Sequence, residues 1–171
     1  MDIKDFVKMQ LEGNKRLMGR VMNGLTQPEI AWRPSSGCNS IGLIVFHVVR
    51  SEDSFIQARL QNKPEIWVKD GWFKKLNMAE TATGSHFTID EVNAFPVPEL
   101  KDLHAYTEAV RAATAAYIDS LSAADFDRKL TIKPFPGDTT VAAMLSMTVT
   151  HAAGHIGEMS YIRGIQRGMD K

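Results

Sequence analysis

The chain predicts an all-α fold, a four-helix bundle, and three observations carry that prediction. Four long segments place apolar residues three and four apart, the period of a helix with one face on a core. Clusters of proline, glycine and small polar residues separate them. One connection is far longer than the rest, as expected where a chain crosses between non-adjacent helix ends of a bundle. With 171 residues, a single domain over 1–171 is expected, large enough to bury roughly two thirds of its unfolded surface.

The first helix is expected over residues 3–25. Ile3, Val7, Leu11, Met18, Val21, Met22 and Leu25 recur at helical spacing, while Lys4, Lys8, Glu12 and Lys15 fall largely off that stripe. Thr26, Gln27, Pro28 and Glu29 read as a turn into a short helical or irregular piece, and residues 33–37 form a second breaker cluster. Asn39 or Ser40 suits the N-cap of the next helix. That second helix is expected from 41 to 60 or 61. Its first half, rich in β-branched residues, would also suit a buried strand, but the length and the polar period of Arg50, Glu52, Asp53 and Gln57 favour a helix. Because this half is apolar all round, His47 is expected to be buried whichever way it points.

Residues 62–98 carry Pro64, Gly71, Gly84, Pro96 and Pro98 with no sustained period. Trp67, Trp72, Phe73, Phe87 and Phe95 argue against disorder. An ordered crossover is expected, with a short helix over 72–76. A third helix is expected over 99–121, through Leu103, Tyr106, Val110, Ala113, Tyr117 and Leu121, with Pro98 near its start. Residues 133–138 read as a turn closing a short hairpin between Leu130 and Val141. A fourth helix is expected over 140–166, with Gly168 as terminator.

Lysine plus arginine equal aspartate plus glutamate at 20 each. The zero net charge gives no basic face for nucleic acid. One cysteine, Cys38, excludes an internal disulfide framework and any CxxC motif. It fits a reducing cytoplasm. No stretch approaches the length of an apolar membrane span, and the N-terminus lacks the regions of a secretory signal. A soluble, cytoplasmic protein is expected.

The chemistry concentrates in the fourth helix. His151 and His155, two of five histidines, stand at i and i+4 and share a helix face, so one rigid element can aim both imidazoles at one ion. Their stripe runs Met144, Met147, Thr148, His151, His155, Met159, Ile162. Histidines on such a stripe need hydrogen bonds or a metal, and the pair alone leaves both readings open. His47, on the second helix, supplies a third ligand, since bundle metal sites are built from side chains on facing helices. Three histidines leave a tetrahedral ion one open position, as in catalytic sites. Imidazole suits zinc, nickel, copper and iron alike, with zinc or nickel expected first.

Arg33-Pro34, then Gly37-Cys38-Asn39-Ser40-Ile41-Gly42-Leu43-Ile44-Val45-Phe46-His47, and the acidic pair Glu52-Asp53 make a recognisable pattern. Trp67-Val68-Lys69-Asp70-Gly71-Trp72-Phe73 and His151-Ala152-Ala153-Gly154-His155-Ile156-Gly157-Glu158 continue it. Over nearly its whole length the chain resembles the DinB-like superfamily of helical bundle proteins, particularly a branch of unknown function. The resemblance implies an up-down-down-up bundle, a divalent metal on His47, His151 and His155, and homodimers. It also links the chain to bacterial thiol transferases that use mycothiol, bacillithiol or a similar low-molecular-weight thiol.

Further groups bear on function. Glu158 lies one turn beyond His155. It either orients an imidazole or pairs at the periphery with Arg163 or a lysine, and it is the one candidate catalytic base for hydrolysis on that face. Ser51 is a weaker candidate for supporting a ligand. Gly154, Gly157 and Gly164, with Thr150 and Tyr161, form a second stripe, expected to admit a close helix, a partner subunit, or a ligand beside the metal. Cys38 reads as inert, His86 and His104 as surface or capping residues, and the Trp67–Trp72 segment as aromatic core or an apolar lid.

Together these expectations describe a metal-dependent thiol S-transferase acting on a small electrophile. The ion's open position would hold the cofactor thiol as thiolate. A metallohydrolase, and a metal-bound binding or stress-response module without turnover, are the alternatives.

Overall fold

The structure, a computed structural model, describes residues 1–132 and 137–168. Helix α1 (Ile3–Met22) starts where the Asp2 carboxylate accepts the backbone N–H of Asp5. It stops three residues short of the expected end. Asn23 turns out of the helix at ψ 125° and Gly24 takes a left-handed φ of 71°, which only glycine adopts at no steric cost. Helix α2 (Gln27–Ala31) is the short piece expected after Thr26. It is capped by Glu29, whose carboxylate accepts the Thr26 backbone N–H at 2.7 Å.

Helix α3 (Ile41–Asp53) is a helix, not a strand, and Ser40 is its N-cap, accepting the Leu43 N–H at 3.1 Å. The helix does not run on as regular α to residue 60. Ser54–Leu60 is π-helical, a form that recurs at functional sites. Residues 47, 51, 55 and 59 step by four, which overshoots one 3.6-residue α turn. The wider π turn takes up that overshoot and keeps Phe55 and Arg59 on the same side as His47, while Ile56 and Leu60 remain in the core.

The crossover holds three short helices, α4 (Ile66–Lys69), α5 (Trp72–Lys75) and α6 (Ile89–Ala94), of which only α5 was expected. α6 begins with a capping box, Thr88 and Glu91. Helix α7 (Leu100–Ser120) matches the expected span to within a residue, and a 3₁₀ turn at Ala123–Asp127 follows. The hairpin is present: β1 (Lys129–Thr131) pairs antiparallel with β2 (Asp138–Thr140), Leu130 opposite Thr139. Residues 133–136 of the expected turn lie outside the described residues. Helix α8 (Val141–Arg167) starts at Thr140, whose hydroxyl accepts the Ala143 N–H, and ends at Gly168 with φ 76°.

The long helices pack α1 on α8 and α7, and α3 on α7 and α8. The main core gathers around Phe46, which meets Trp67 edge-on at 5.4 Å and Phe95 at 5.3 Å. Leu11, Ile56, Ile118 and Leu145 belong to a second apolar cluster. Among the described residues the fold is therefore all-α apart from one two-stranded hairpin. Among the described residues, no helix is long and apolar enough to cross a membrane.

Of the alternatives expected for the α8 glycines, a close helix of the same chain is not met. A Cβ placed on Gly154, Gly157 or Gly164 would meet no atom within 4 Å. The glycine stripe is thus not where another helix of this chain approaches. It lies on the outer side, beside Tyr161, which is 73% exposed.

Candidate metal centre

Helix α3 carries His47 and helix α8 carries His151 and His155, and packing of α3 on α8 brings the three rings together. One ligand nitrogen from each lies within 4.8 Å of the others. The His47 and His151 Nε2 atoms are 3.2 Å apart. A tetrahedral ion with metal–nitrogen bonds near 2.0–2.1 Å sets its ligands about 3.3 Å from one another, so this separation suits a shared ion. The ring centroids are 5.0 Å apart for His47–His151, 4.8 Å for His47–His155 and 4.5 Å for His151–His155.

Protonation points the same way. Burial, with the neighbouring His155 and His47 rings, pulls His151 down to about 4. Burial and His155 also lower His47. Both imidazoles are held neutral near pH 7, the form that ligates a metal. The donor set fits a divalent ion that accepts nitrogen ligands.

The outer nitrogens of two rings are engaged. Nδ1 of His155 lies 2.9 Å from Glu158 Oε2, one turn on along α8. Nδ1 of His47 lies 3.0 Å from Ser85 Oγ, on the crossover. Phe55, in the π stretch, meets the His151 ring edge-on at 5.7 Å, and the Arg59 guanidinium lies over Phe55 at 4.9 Å. Glu158 thus lies against the His155 ring, while Arg163 reaches across to the Val21 and Asn23 carbonyls. It does not line the cavity described next.

The triad is not sealed. His47, expected to be buried, is half-buried, as are His151 and His155. They sit at the edge of the α8 stripe, whose buried line runs through Met144, Thr148, Ala152, Ile156, Met159 and Ile162. All three face a cavity of about 570 Å³, walled by Ser51, Ser54, Phe55, Arg59 and the crossover residues Thr83 to His86. His86, expected as a surface or capping residue, is exposed, and it stands at the rim of this wall in a left-handed turn (φ 55°). His104 is a surface residue, 3.5 Å from Glu108. Cys38 is half-buried, its sulfur 3.2 Å from the Ser35 hydroxyl.

Trp67 and Trp72 form no lid. Trp67 is fully buried and Trp72 packs on the main core, and neither lines the cavity. Polar groups complete the wall instead, and Arg50 and Glu65 line the cavity themselves. Arg50 donates to the Glu65 carboxylate at 2.7 Å, to Tyr106 at 3.3 Å and to the Ala82 carbonyl at 3.0 Å. Glu52, also buried, pairs with Arg111 at 3.1 Å and accepts from Thr114 at 2.8 Å.

The sequence model of the DinB superfamily matches residues 10–159, most of the chain. The chain belongs to the DinB superfamily. Among solved structures, the conserved protein of locus from Enterococcus faecalis matches this DinB superfamily chain with a TM-score of 0.85 and 22% identity, over 96% of this chain and 97% of that one. At that identity the likeness is one of fold. No curated protein matches.

Proposed function

We propose that this DinB superfamily protein binds a divalent metal through His47, His151 and His155 and acts as a metal-dependent thiol S-transferase on a small electrophile. The observation that carries the reading is the placement of three converging imidazoles at an open cavity of about 570 Å³. A binding or stress-response scaffold has no need of such a space beside its ion. Zinc or nickel suits the nitrogen set. Bound there, the ion would hold a low-molecular-weight thiol as its thiolate at neutral pH.

The residues of the chain supply the rest. His47, His151 and His155 present their inner nitrogens, Glu158 fixes the His155 ring, and Phe55 and Arg59 shape the wall toward which the electrophile enters. A metallohydrolase would need a base next to the ion. Glu158 is engaged on the far nitrogen of His155 and stands outside the cavity, which favours the transferase. The four long helices are read as an up-down-down-up bundle in one domain, the site of a cytoplasmic enzyme. The open α8 glycine face is the proposed contact of a C2 homodimer.

Metal analysis of protein prepared without a polyhistidine tag tests the site. About one divalent ion per chain is expected, and none in the His151→Ala/His155→Ala double variant. Full metal content in that variant would remove the site. A conjugation screen pairing small thiols with electrophiles then tests the reaction, which must vanish in the metal-free protein.

A further inference from the structure

We infer that Ser85, on the crossover, is the residue that positions His47 for the metal, by accepting the Nδ1 proton that this ring must carry when Nε2 ligates. The inference rests on the metal-site reading above and adds a residue that lies 38 positions from His47 in sequence. A neutral imidazole bonded to a metal through one nitrogen carries its proton on the other, and that proton needs an acceptor to fix tautomer and ring plane. His47 Nε2 points inward, 3.2 Å from the His151 Nε2. Its Nδ1 points outward to Ser85 Oγ at 3.0 Å. For His155 a carboxylate from the same helix fills the equivalent place. Helix α3 offers His47 no such carboxylate, and the crossover brings a hydroxyl instead.

The local backbone is built for that approach. Gly84 has φ 72°, and a Cβ on it would lie 3.1 Å from His47 Cβ and 3.2 Å from its Cα. A side chain at 84 would be strained by the left-handed φ and crowd α3, so glycine favours this close approach, which puts the next side chain within reach of the ring. Two anchors hold the segment in place: Arg50 donates to the Ala82 carbonyl at 3.0 Å, and the Trp67 indole donates to the Glu80 carbonyl at 2.8 Å. The Ser85 backbone N–H is taken up by the Thr83 hydroxyl at 3.1 Å, and the Ser85 hydroxyl faces His47. A backbone hydrogen bond between Thr83 and the His47 ring lies in the same stretch, and the experiment must separate it from the hydroxyl.

Zinc affinity, measured by competition with a chelator at pH 7.5, makes the test, using the wild type, Ser85→Ala and Ser85→Thr. Loss of an orienting partner typically weakens metal binding roughly 10–100-fold. Ser85→Ala is expected to lose affinity in that range, and Ser85→Thr, which keeps the hydroxyl, to restore most of it. The spectrum of the cobalt-substituted protein should change in Ser85→Ala and return in Ser85→Thr. Nitrogen-resolved NMR of the zinc form should show a slowly exchanging His47 Nδ1 proton that exchanges faster in Ser85→Ala. Unchanged zinc affinity in Ser85→Ala, even with a lowered melting temperature, overturns the inference and leaves Thr83 as the ring's sufficient partner. A wild type that takes up no zinc overturns the metal reading itself, and this role with it.

Discussion

Trp67 donates its backbone N–H to Asp53 Oδ2 at 2.8 Å, and the same carboxylate takes the Ile66 N–H at 2.9 Å and the Tyr106 hydroxyl at 2.8 Å. Asp53 is fully buried. It ends the regular part of α3 while capping α4, so one side chain ties the helix that carries His47 to the start of the crossover. Burial pushes its carboxyl up, against the pull of these donors and of Arg50.

Asp53→Ala should therefore be among the costliest substitutions. It strands two backbone donors, a phenol and part of Arg50 in an apolar surround. Removing one member of a buried charged network costs about 3–5 kcal/mol. Denaturant unfolding should show a loss of that size, and hydrogen exchange at Ile66 and Trp67 should rise first. A loss under about 1 kcal/mol, the worth of one ordinary hydrogen bond, would show that the network is not holding the crossover.

Gly42→Ala sets two effects against each other. Alanine gains up to about 1 kcal/mol of helix propensity over glycine. A Cβ at position 42, however, collides with Val97 Cγ1 and comes within 3.0 Å of Ile30 Cγ2 and 3.3 Å of the Ile30 carbonyl. Overpacking of this kind costs about 1–3 kcal/mol, and a backbone neighbour cannot swing away. The variant should be less stable than the wild type. An increase in stability would mean that α2 and the crossover yield more easily than their packing suggests.

Much of this was legible in the sequence, and the exceptions share a cause. Helical spacing fixed α1, α7 and α8 to within a few residues, because a long amphipathic period is a local signal. His47, His151 and His155 were readable because the i, i+4 pair marks a face and the third histidine stands on another long helix. Ser85 and Gly84 were not readable. They lie in an aperiodic crossover, and their partner is 38 or 37 residues away, so nothing near them announces the contact. The π stretch was equally hidden, since Phe55 and Ile56 fit an α pattern until the cavity decides which of them faces it. The glycine stripe was ambiguous for the opposite reason. Small residues on a helix suggest a close neighbour, and among the described residues no other helix of this chain is one.

Acid should loosen the end of α8 through Glu29. Its carboxylate accepts from Arg167 at 2.7 Å and from the Thr26 backbone and hydroxyl, which pull it down to about 2. Unfolded, it titrates near 4.5. A depressed carboxylate contributes stability that is complete above the unfolded value and is lost as pH falls from there through the folded one. The contribution should therefore be intact at pH 6 and disappear between about 4.5 and 2. Because the Glu29–Arg167 pair is only half-buried at the surface, the effect should be small and reduced by salt. Glu29→Gln should remove most of this acid dependence at the last turn of α8, read by amide exchange at Gln166 and Arg167. Identical pH profiles for the two proteins would show that the Glu29–Arg167 pair does not hold that end.

Thiol binding separates the transferase from a metal-bearing scaffold. If the cavity side of the triad is where a thiol meets the ion, adding a small thiol to the cobalt-substituted protein should produce a sulfur-to-metal charge-transfer band, because thiolate is a soft, electron-rich ligand. His47→Ala should weaken the band by removing one of three nitrogens. Phe55→Ala should leave the metal content unchanged, since Phe55 touches the His151 ring but offers no ligand atom. It should also lower conjugation of the thiol to an electrophile, since the wall beside His151 would be gone. Conjugation should stop when the metal is removed and return when it is restored. If thiols leave the cobalt spectrum unchanged and no conjugation is found, the cavity serves some other ligand and the transferase reading fails. The metal stoichiometry of the triad would still be decided independently, by the His151→Ala/His155→Ala variant.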